Sequence, residues 1–185
     1  MPMLQVSLLS GYSNALKERM TQALTAAIAG ITRAKPEAIS IWINEVDSSN
    51  YSRGGVARQP GIGAADPTSL VHDYLMAMEQ RELEKAQRFL DENFVMAFPG
   101  SGELTSLNQV VEWSKGRYQF VKKTLESTNV AYEMDKIVVF VNGTLYGEWP
   151  DGTPFEGIRF IDRFEIFNDR LVRQDVWNDL ATAQR

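Results

Sequence analysis

A segment rich in glycine and proline, residues 54–67, constrains this chain most, because it divides the 185 residues into two unequal parts. Glycine adds backbone freedom and proline interrupts regular hydrogen bonding, so the segment is typical of a linker. At about 150 residues per domain, the length allows one or two domains. We therefore predict two domains, a smaller one over residues 1–62 and a larger one over residues 63–185.

The two parts differ in charge, and the composition excludes several classes of function. Residues 1–65 carry six basic and four acidic side chains, a net charge of +2, whereas residues 66–185 carry 13 and 20, a net charge of −7. The overall charge of −5 argues against a nucleic-acid partner, which needs a basic surface. The chain has no cysteine and one histidine, His72, which excludes thiol chemistry and a multi-histidine metal site. We expect neither a cofactor nor a metal.

The location of the protein can also be predicted from what the sequence lacks. No apolar run approaches the roughly 20 residues that a membrane span requires. The N-terminus has neither the basic start nor the apolar core of a signal peptide. We therefore expect a cytoplasmic protein with no membrane partner, and we expect His72 on an exposed face of a helix.

The smaller part has the pattern of a strand, a helix and a second strand. Apolar residues alternate over 3–9 and again over 39–46, and between them a helix of spaced apolar residues runs from Ser13 or Asn14 to about Arg33. Two strands joined by one crossover helix should be parallel. About 60 residues with two strands bury little apolar surface, so we expect this part to form a homo-oligomer with copies of itself.

The larger part places helices before a series of long strands, which predicts an α+β domain. Its strands should form a curved antiparallel sheet that wraps around the helices and encloses a pocket for a small molecule. The predicted helices are 66–79, 82–90 and 107–125, and the predicted strands are 93–98, 128–134, 136–148, 154–167 and 170–178.

Pro2 is a candidate catalytic residue because it follows the initiator methionine. Methionine before a small residue is commonly removed, which would leave a secondary amine on Pro2. At an apolar site the pKa of that amine falls below the usual α-amino value of about 8. A neutral amine near pH 7 can act as a general base or as a nucleophile toward carbonyls. The alternative is that proline at the second position has no chemical role.

Residues 2–58 resemble the 4-oxalocrotonate tautomerase family. The likeness covers a proline followed by a short strand and a glycine, a proline before the second strand, and an aromatic residue followed by Gly-Gly. The segments that carry it are 2–13, Lys17-Glu18, Pro36, 41–46 and 50–56.

This resemblance implies a β-α-β fold that assembles into oligomers, and proton transfer between enol and keto forms by Pro2. It implies that Tyr51 walls the site. Tyr12 and Ser40 stand where many members carry arginines that hold substrate carboxylates. Arg53 is either a replacement cation or a solvated hairpin residue.

Residues 66–185 resemble the nuclear transport factor 2-like superfamily in its SnoaL-like and ketosteroid-isomerase-like branches, most clearly over 160–179. There the last two strands line a conical cavity, and alternate residues face it. Strict alternation places Phe160 and Asp162 on the inner face, with Asp175 and Trp177 across from them. Two carboxylates in an apolar pocket would suit acid–base chemistry.

The second resemblance also implies roles for single residues. Asp162 aligns with the acid that supports the oxyanion in ketosteroid isomerase, and Tyr74 aligns with its oxyanion tyrosine. The general base would fall at Phe98, which takes no proton, and Asp175 matches an aspartate of the limonene-epoxide-hydrolase branch. The alternative is that these residues are hydrogen-bonded polar groups in a binding cone.

Three hypotheses for function follow. The first is a cofactor-independent isomerase that uses Pro2 as a general base on a small enolisable carbonyl compound. The second is a small-molecule binding protein, with the ligand in the cone and the first domain serving oligomerisation. The third places acid–base catalysis in the cone, at Asp162 and Asp175.

Overall fold

The computed structural model describes residues 1–183. Contacts within the chain define two compact units, Met1–Ala64 and Ala65–Arg185, which are described separately below. Within the described range, none of the helices has the length and apolar character needed to cross a bilayer.

The first unit is a β-α-β unit followed by a short hairpin. Strand β1 (Met3–Leu9) and strand β2 (Ser40–Val46) pair in parallel, as a crossover helix requires. Helix α1 (Asn14–Thr32) begins at Ser13, whose hydroxyl accepts a hydrogen bond from a backbone N–H of the first turn. The hairpin of β3 (Ser52–Arg53) and β4 (Val56–Ala57) occupies the start of the segment predicted as a linker.

No side chain of residues 1–64 is fully buried. In both long strands half-buried positions alternate with exposed ones, so only one face of the two-stranded sheet is covered. The other face carries Met3, which is 63% exposed, and Trp42, which is 47% exposed. A tryptophan left half in water is the consequence of a two-stranded sheet with a single helix to pack against it.

The second unit is α+β, with one six-stranded sheet. The elements are α2 (Pro67–Glu79), α3 (Leu83–Gln87), β5 (Leu90–Phe98), β6 (Gly102–Leu104), α4 (Leu107–Ser114), β7 (Phe120–Tyr132), β8 (Ile137–Glu148), β9 (Pro154–Phe167), β10 (Arg170–Asn178) and α5 (Leu180–Ala183). The order of the strands across the sheet is β6-β5-β10-β9-β8-β7. Strands β5 and β10 pair in parallel, so the sheet is mixed, and the prediction of an antiparallel sheet is wrong at this one pairing.

The predicted helix over 107–125 is wrong in its second half. Helix α4 ends at Ser114, and Gly116 follows in the left-handed region with φ of +75°, which glycine adopts without strain. The chain then enters β7, which pairs along its length with β8. That pairing is close at Gly143 and Gly147, where a Cβ atom would collide with the backbone of β7. The apolar residues of β7 are spaced as in a helix, but hydrogen bonding to β8 makes the segment a strand.

A β-bulge in β10 decides which side chains face the interior of the second unit. The pairing of β10 with both of its neighbours shifts register between Leu171 and Arg173. Leu171 is buried before the shift, and Gln174 and Val176 are buried after it. One extra residue therefore exchanges the inner and outer faces for the rest of the strand.

Candidate functional site

The second unit contains a cavity of about 340 Å³ between its helices and the concave face of the sheet. Every strand of the sheet except β6 contributes to its lining, together with α2, α4 and α5. Much of the wall is aromatic, with Phe98, Trp113, Tyr118 and Phe160 among the lining side chains. The cavity therefore offers a largely apolar space with aromatic side chains in its wall.

One group of hydrogen-bonded polar side chains interrupts this apolar wall. Asp162, on β9, is completely buried. Its Oδ2 atom forms an ion pair with the Nζ of Lys123, on β7, and accepts a hydrogen bond of 3.2 Å from Nε2 of Gln174, on β10. The hydroxyl of Tyr74, on α2, donates to Oε1 of Gln174 at 3.1 Å. Three strands and one helix thus hold a single connected network.

Within the ion pair, the ammonium is the partner that the cavity can reach. The side chain of Lys123 is 24% exposed, whereas that of Asp162 is 0% exposed. The Nζ atom also lies 4.5 Å from the centre of the Phe160 ring, at a distance where a cation is attracted to an aromatic face. Oδ1 of Asp162 is buried and accepts no hydrogen bond from any described residue.

Tyr74 fixes the orientation of the amide in this network. Burial raises the pKa of its phenol above the usual range, and the negative charge of Asp162 raises it further. The neutral phenol donates to Oε1 of Gln174, which leaves the amide nitrogen to face Asp162. Edge-on contacts with the rings of Phe94 and Phe164 hold the tyrosine in place.

Other lining residues occupy positions that the sequence did not indicate. His72 was expected on an exposed helix face, but it lines the cavity, and its Nε2 lies 2.8 Å from Oγ1 of Thr128. Trp113 packs at 4.9 Å against Phe98, and the guanidinium of Arg117 lies 4.1 Å from its ring centre. The indole N–H of Trp113 is buried and has no partner among the described residues.

Of the five side chains predicted to line the cone, Tyr74, Phe160 and Asp162 lie at the cavity. Asp175 and Trp177 do not, because the bulge turns them to the outer face. There Asp175 pairs with Arg163 at 3.3 Å and with Arg173 at 2.9 Å, and Trp177 is 52% exposed. Strict alternation from Leu171 would have turned both inward, and the sequence shows no sign of the extra residue.

Two members of the polar network were missed by sequence reasoning. Lys123 fell within the mistaken helix, so its alternation with Val121, which points it inward, was not recognised. Gln174 was overlooked in favour of the charged Asp175 beside it. Only the pairing of β10 with its neighbours distinguishes the inward residue from the outward one.

The residues predicted for the first unit are only partly gathered together. Pro2 is half-buried before β1, and its carbonyl accepts a hydrogen bond of 3.1 Å from the backbone N–H of Ser40. Tyr12 is half-buried, whereas Tyr51 and Arg53 are exposed. Among the hydrogen bonds of the described residues, none joins Pro2 to Tyr12, Tyr51 or Arg53. Among the described residues of both units, no three His, Cys, Asp or Glu side chains lie close enough together to hold a metal ion.

Comparison with known proteins relates the second unit to a known fold. No family model matches the chain, and no curated protein matches it. An NTF2-like protein of unknown function from Burkholderia pseudomallei K96243 is 15% identical, with a TM-score of 0.55 over 63% of this chain and 92% of that chain. TerC, co-crystallised with polyporic acid, is 13% identical, with a TM-score of 0.52 over 63% of this chain and 93% of that chain. The second unit therefore has an NTF2-like fold.

The first unit has a weaker likeness. A heterohexamer 4-oxalocrotonate tautomerase from Chloroflexus aurantiacus J-10-fl is 28% identical over 31% of this chain and 92% of that chain, with a TM-score of 0.30. At that score the likeness carries no argument about the function of residues 1–64.

Replacing Tyr74 with phenylalanine tests the buried phenol. Because the folded-state pKa is raised, the stability that the neutral phenol contributes is fully present below about pH 10 and is lost as the pH rises further. At pH 7, Tyr74→Phe should cost about 1–2 kcal/mol, because Gln174 loses its donor. At pH 11 the difference from the wild type should shrink by about 1 kcal/mol, as measured by denaturant unfolding. A difference that stays constant or grows would contradict this account.

Proposed function

We propose that the second unit binds an apolar small molecule in its cavity, with an oxygen of that molecule on the ammonium of Lys123. The observation that carries the proposal is an ion pair between Lys123 and the fully buried Asp162, in the wall of an otherwise largely apolar cavity. Removing two ions from water costs free energy, so an ion pair at this place is not explained by a gain in the stability of the fold. The ammonium compensates the charge of Asp162 with one of its three N–H donors, and a ligand oxygen would accept a hydrogen bond from another.

The size of the cavity supports a ligand rather than a packing defect. Empty apolar cavities that stay dry are about 150 Å³ in well-studied cases, and pockets that hold small molecules run from about 300 Å³ upward. At about 340 Å³ this cavity falls in the second range. Protein interiors are packed to crystal-like density, so a cavity of this size is unusual within a small domain and is large enough for a small molecule.

The same arrangement is suited to one kind of chemistry. An ammonium in a water-poor site stabilises negative charge that develops on a carbonyl oxygen, which is what forming an enolate requires. We therefore propose that any catalysis in the cone, which the sequence assigned to Asp162 and Asp175, uses Lys123 with Asp162 paired to it. Asp175 has no part in it, because that carboxylate lies on the outer face of the sheet in ion pairs with two arginines.

Binding of N-phenyl-1-naphthylamine, a neutral apolar probe that fluoresces in apolar sites, tests whether the cavity takes a ligand. The wild type should bind one equivalent. Val121→Trp should reduce the affinity about tenfold or more, because Val121 lines the cavity and the indole would fill it. The measurement is a fluorescence titration, with circular dichroism to verify folding.

Thr124→Trp is the matched control for that titration. Thr124 is an exposed position on the same strand and is absent from the cavity lining, so this variant should bind the probe like the wild type. If the wild type does not bind the probe, or if both variants bind it equally, the cavity is not the binding site.

A second candidate function places catalysis at Pro2 in the first unit. It is supported by the parallel β-α-β arrangement and by the half-buried position of Pro2 beside Ser40. In this proposal a free Pro2 amine transfers the proton of a small enolisable carbonyl compound, Tyr51 walls the site, and Arg53 polarises the substrate. The exposed side of the two-stranded sheet would be covered by another copy of the chain, which makes the protein a homo-oligomer.

Replacing Pro2 with alanine tests this candidate. Alanine offers a primary amine in a different geometry, so ketonisation of phenylenolpyruvate should be abolished, as followed by ultraviolet absorbance. Gln22→Ala, at an exposed position of α1 away from the exposed side of the sheet, should keep the activity. Intact-mass spectrometry must show that Met1 is removed, because an acylated proline nitrogen has no basic lone pair. Unchanged turnover in Pro2→Ala, or a retained methionine, would eliminate this mechanism.

A further inference from the structure

We infer that the cavity selects flat apolar molecules that carry one anionic oxygen, and that Lys123 is the residue that binds this oxygen. The inference rests on the proposed function above and specifies its ligand class as carboxylates, enolates, phenolates and similar anions. It assigns Asp162 a positioning role, because that carboxylate would act on the ligand only through Lys123.

The charge of the cavity lining differs from that of the unit that contains it. Residues 66–185 carry a net charge of −7, from 13 basic and 20 acidic side chains. The lining residues include Arg81 and Lys123 as cations and Glu79 and Asp162 as anions, whereas Lys122 is exposed and points to the other face of β7. The charges at the cavity therefore balance within a unit that is strongly acidic overall, so an anion meets less repulsion at Lys123 than over the rest of the unit.

The ammonium of Lys123 has the capacity to bind a further group. An ammonium carries three N–H donors, and in this structure its one hydrogen-bonded acceptor among the described residues is Oδ2 of Asp162. The Phe160 ring lies against it and supplies no lone pair. The side chain of Lys123 is 24% exposed and the residue lines the cavity, so we infer that the remaining donors can reach a ligand there. An anionic oxygen there would form a charge-assisted hydrogen bond, which is roughly twice as strong as a neutral one.

Asp162 is held where it can orient the ammonium but does not meet the ligand. Its side chain is fully buried, and both Gln174 and Lys123 converge on Oδ2. Tyr74 in turn fixes Gln174. Removing the charge of Asp162 should therefore increase the affinity of the ammonium for an anion. By contrast, altering a residue that contacts the ligand would weaken ligand binding.

The aromatic wall sets the shape of the molecule. The rings of Phe98 and Trp113 pack against each other at a tilt of 34°, and Tyr118 and Phe160 line the cavity with them. Flat rings pack against aromatic faces at little cost, because both surfaces are rigid.

Two probes that share the same aromatic body distinguish the contribution of an anionic group to binding from that of the apolar rings. The first is 8-anilinonaphthalene-1-sulfonate, which is anionic, and the second is N-phenyl-1-naphthylamine, which is neutral. Titrations of the full chain measure both affinities. Lys123→Met should weaken binding of the sulfonate about tenfold or more and leave the neutral probe within about twofold. Asp162→Asn should strengthen binding of the sulfonate severalfold and leave the neutral probe unchanged.

Two further variants keep the test decisive. Lys115→Met removes one charge at an exposed position outside the cavity lining, and it should alter neither affinity. Lys123→Met combined with Asp162→Asn replaces the ion pair by uncharged groups, so it should fold even if Lys123→Met alone does not, and it should lose the sulfonate preference.

The outcomes distinguish this inference from the proposed function. If neither probe binds the wild type, the proposed function fails. If the neutral probe binds but Lys123→Met and the double variant keep the wild-type ratio of the two affinities, only the inference fails. A loss of sulfonate affinity in Asp162→Asn would also overturn it, because Asp162 would then support the anion directly.

Discussion

A buried carboxylate is the constraint on which the organisation of the second unit depends. Asp162 is completely enclosed on β9, and an isolated charge at such a place would cost many kcal/mol. The structure compensates it with an ammonium from β7 and an amide from β10, so both strands that carry these groups must lie within reach of β9. The amide in turn needs the phenol of Tyr74, which ties helix α2 to the sheet. One charge thereby fixes the relation of three strands and a helix.

That network depends on an irregularity in the sheet. Without the bulge between Leu171 and Arg173, β10 would turn Asp175 toward Asp162, and two carboxylates would face each other with one lysine between them. The bulge replaces Asp175 by Gln174, an uncharged donor, and sends Asp175 to the outer face, where arginines pair with it. The same shift exchanges Trp177 for Val176 at the cavity and so leaves room for a ligand.

The sequence was informative where local pattern and pairing agree. The strands and helix of residues 3–46 follow from their periodicity and from Ser13 at the helix start, and the inward positions of Phe160 and Asp162 follow from the regular alternation of β9. Local sequence pattern led to wrong predictions where pairing with a neighbouring strand determines the structure. The segment that follows Ser114 has helix-like spacing and is a strand, and the bulge in β10 has no signature in composition. Both failures concealed a member of the site, Lys123 in the first case and Gln174 in the second.

Thiol accessibility on the two sides of the bulge tests the central claim, that the shifted face of β10 builds the cavity. The chain has no cysteine, so a single introduced thiol reports on one position. In the folded protein, Trp177→Cys should react rapidly with a polyethylene glycol maleimide, which is too large to enter the cavity, whereas Val176→Cys should react slowly until the protein is unfolded. The reverse order, with Val176→Cys fast and Trp177→Cys protected, would mean that β10 keeps strict alternation and that Asp175 faces the cavity.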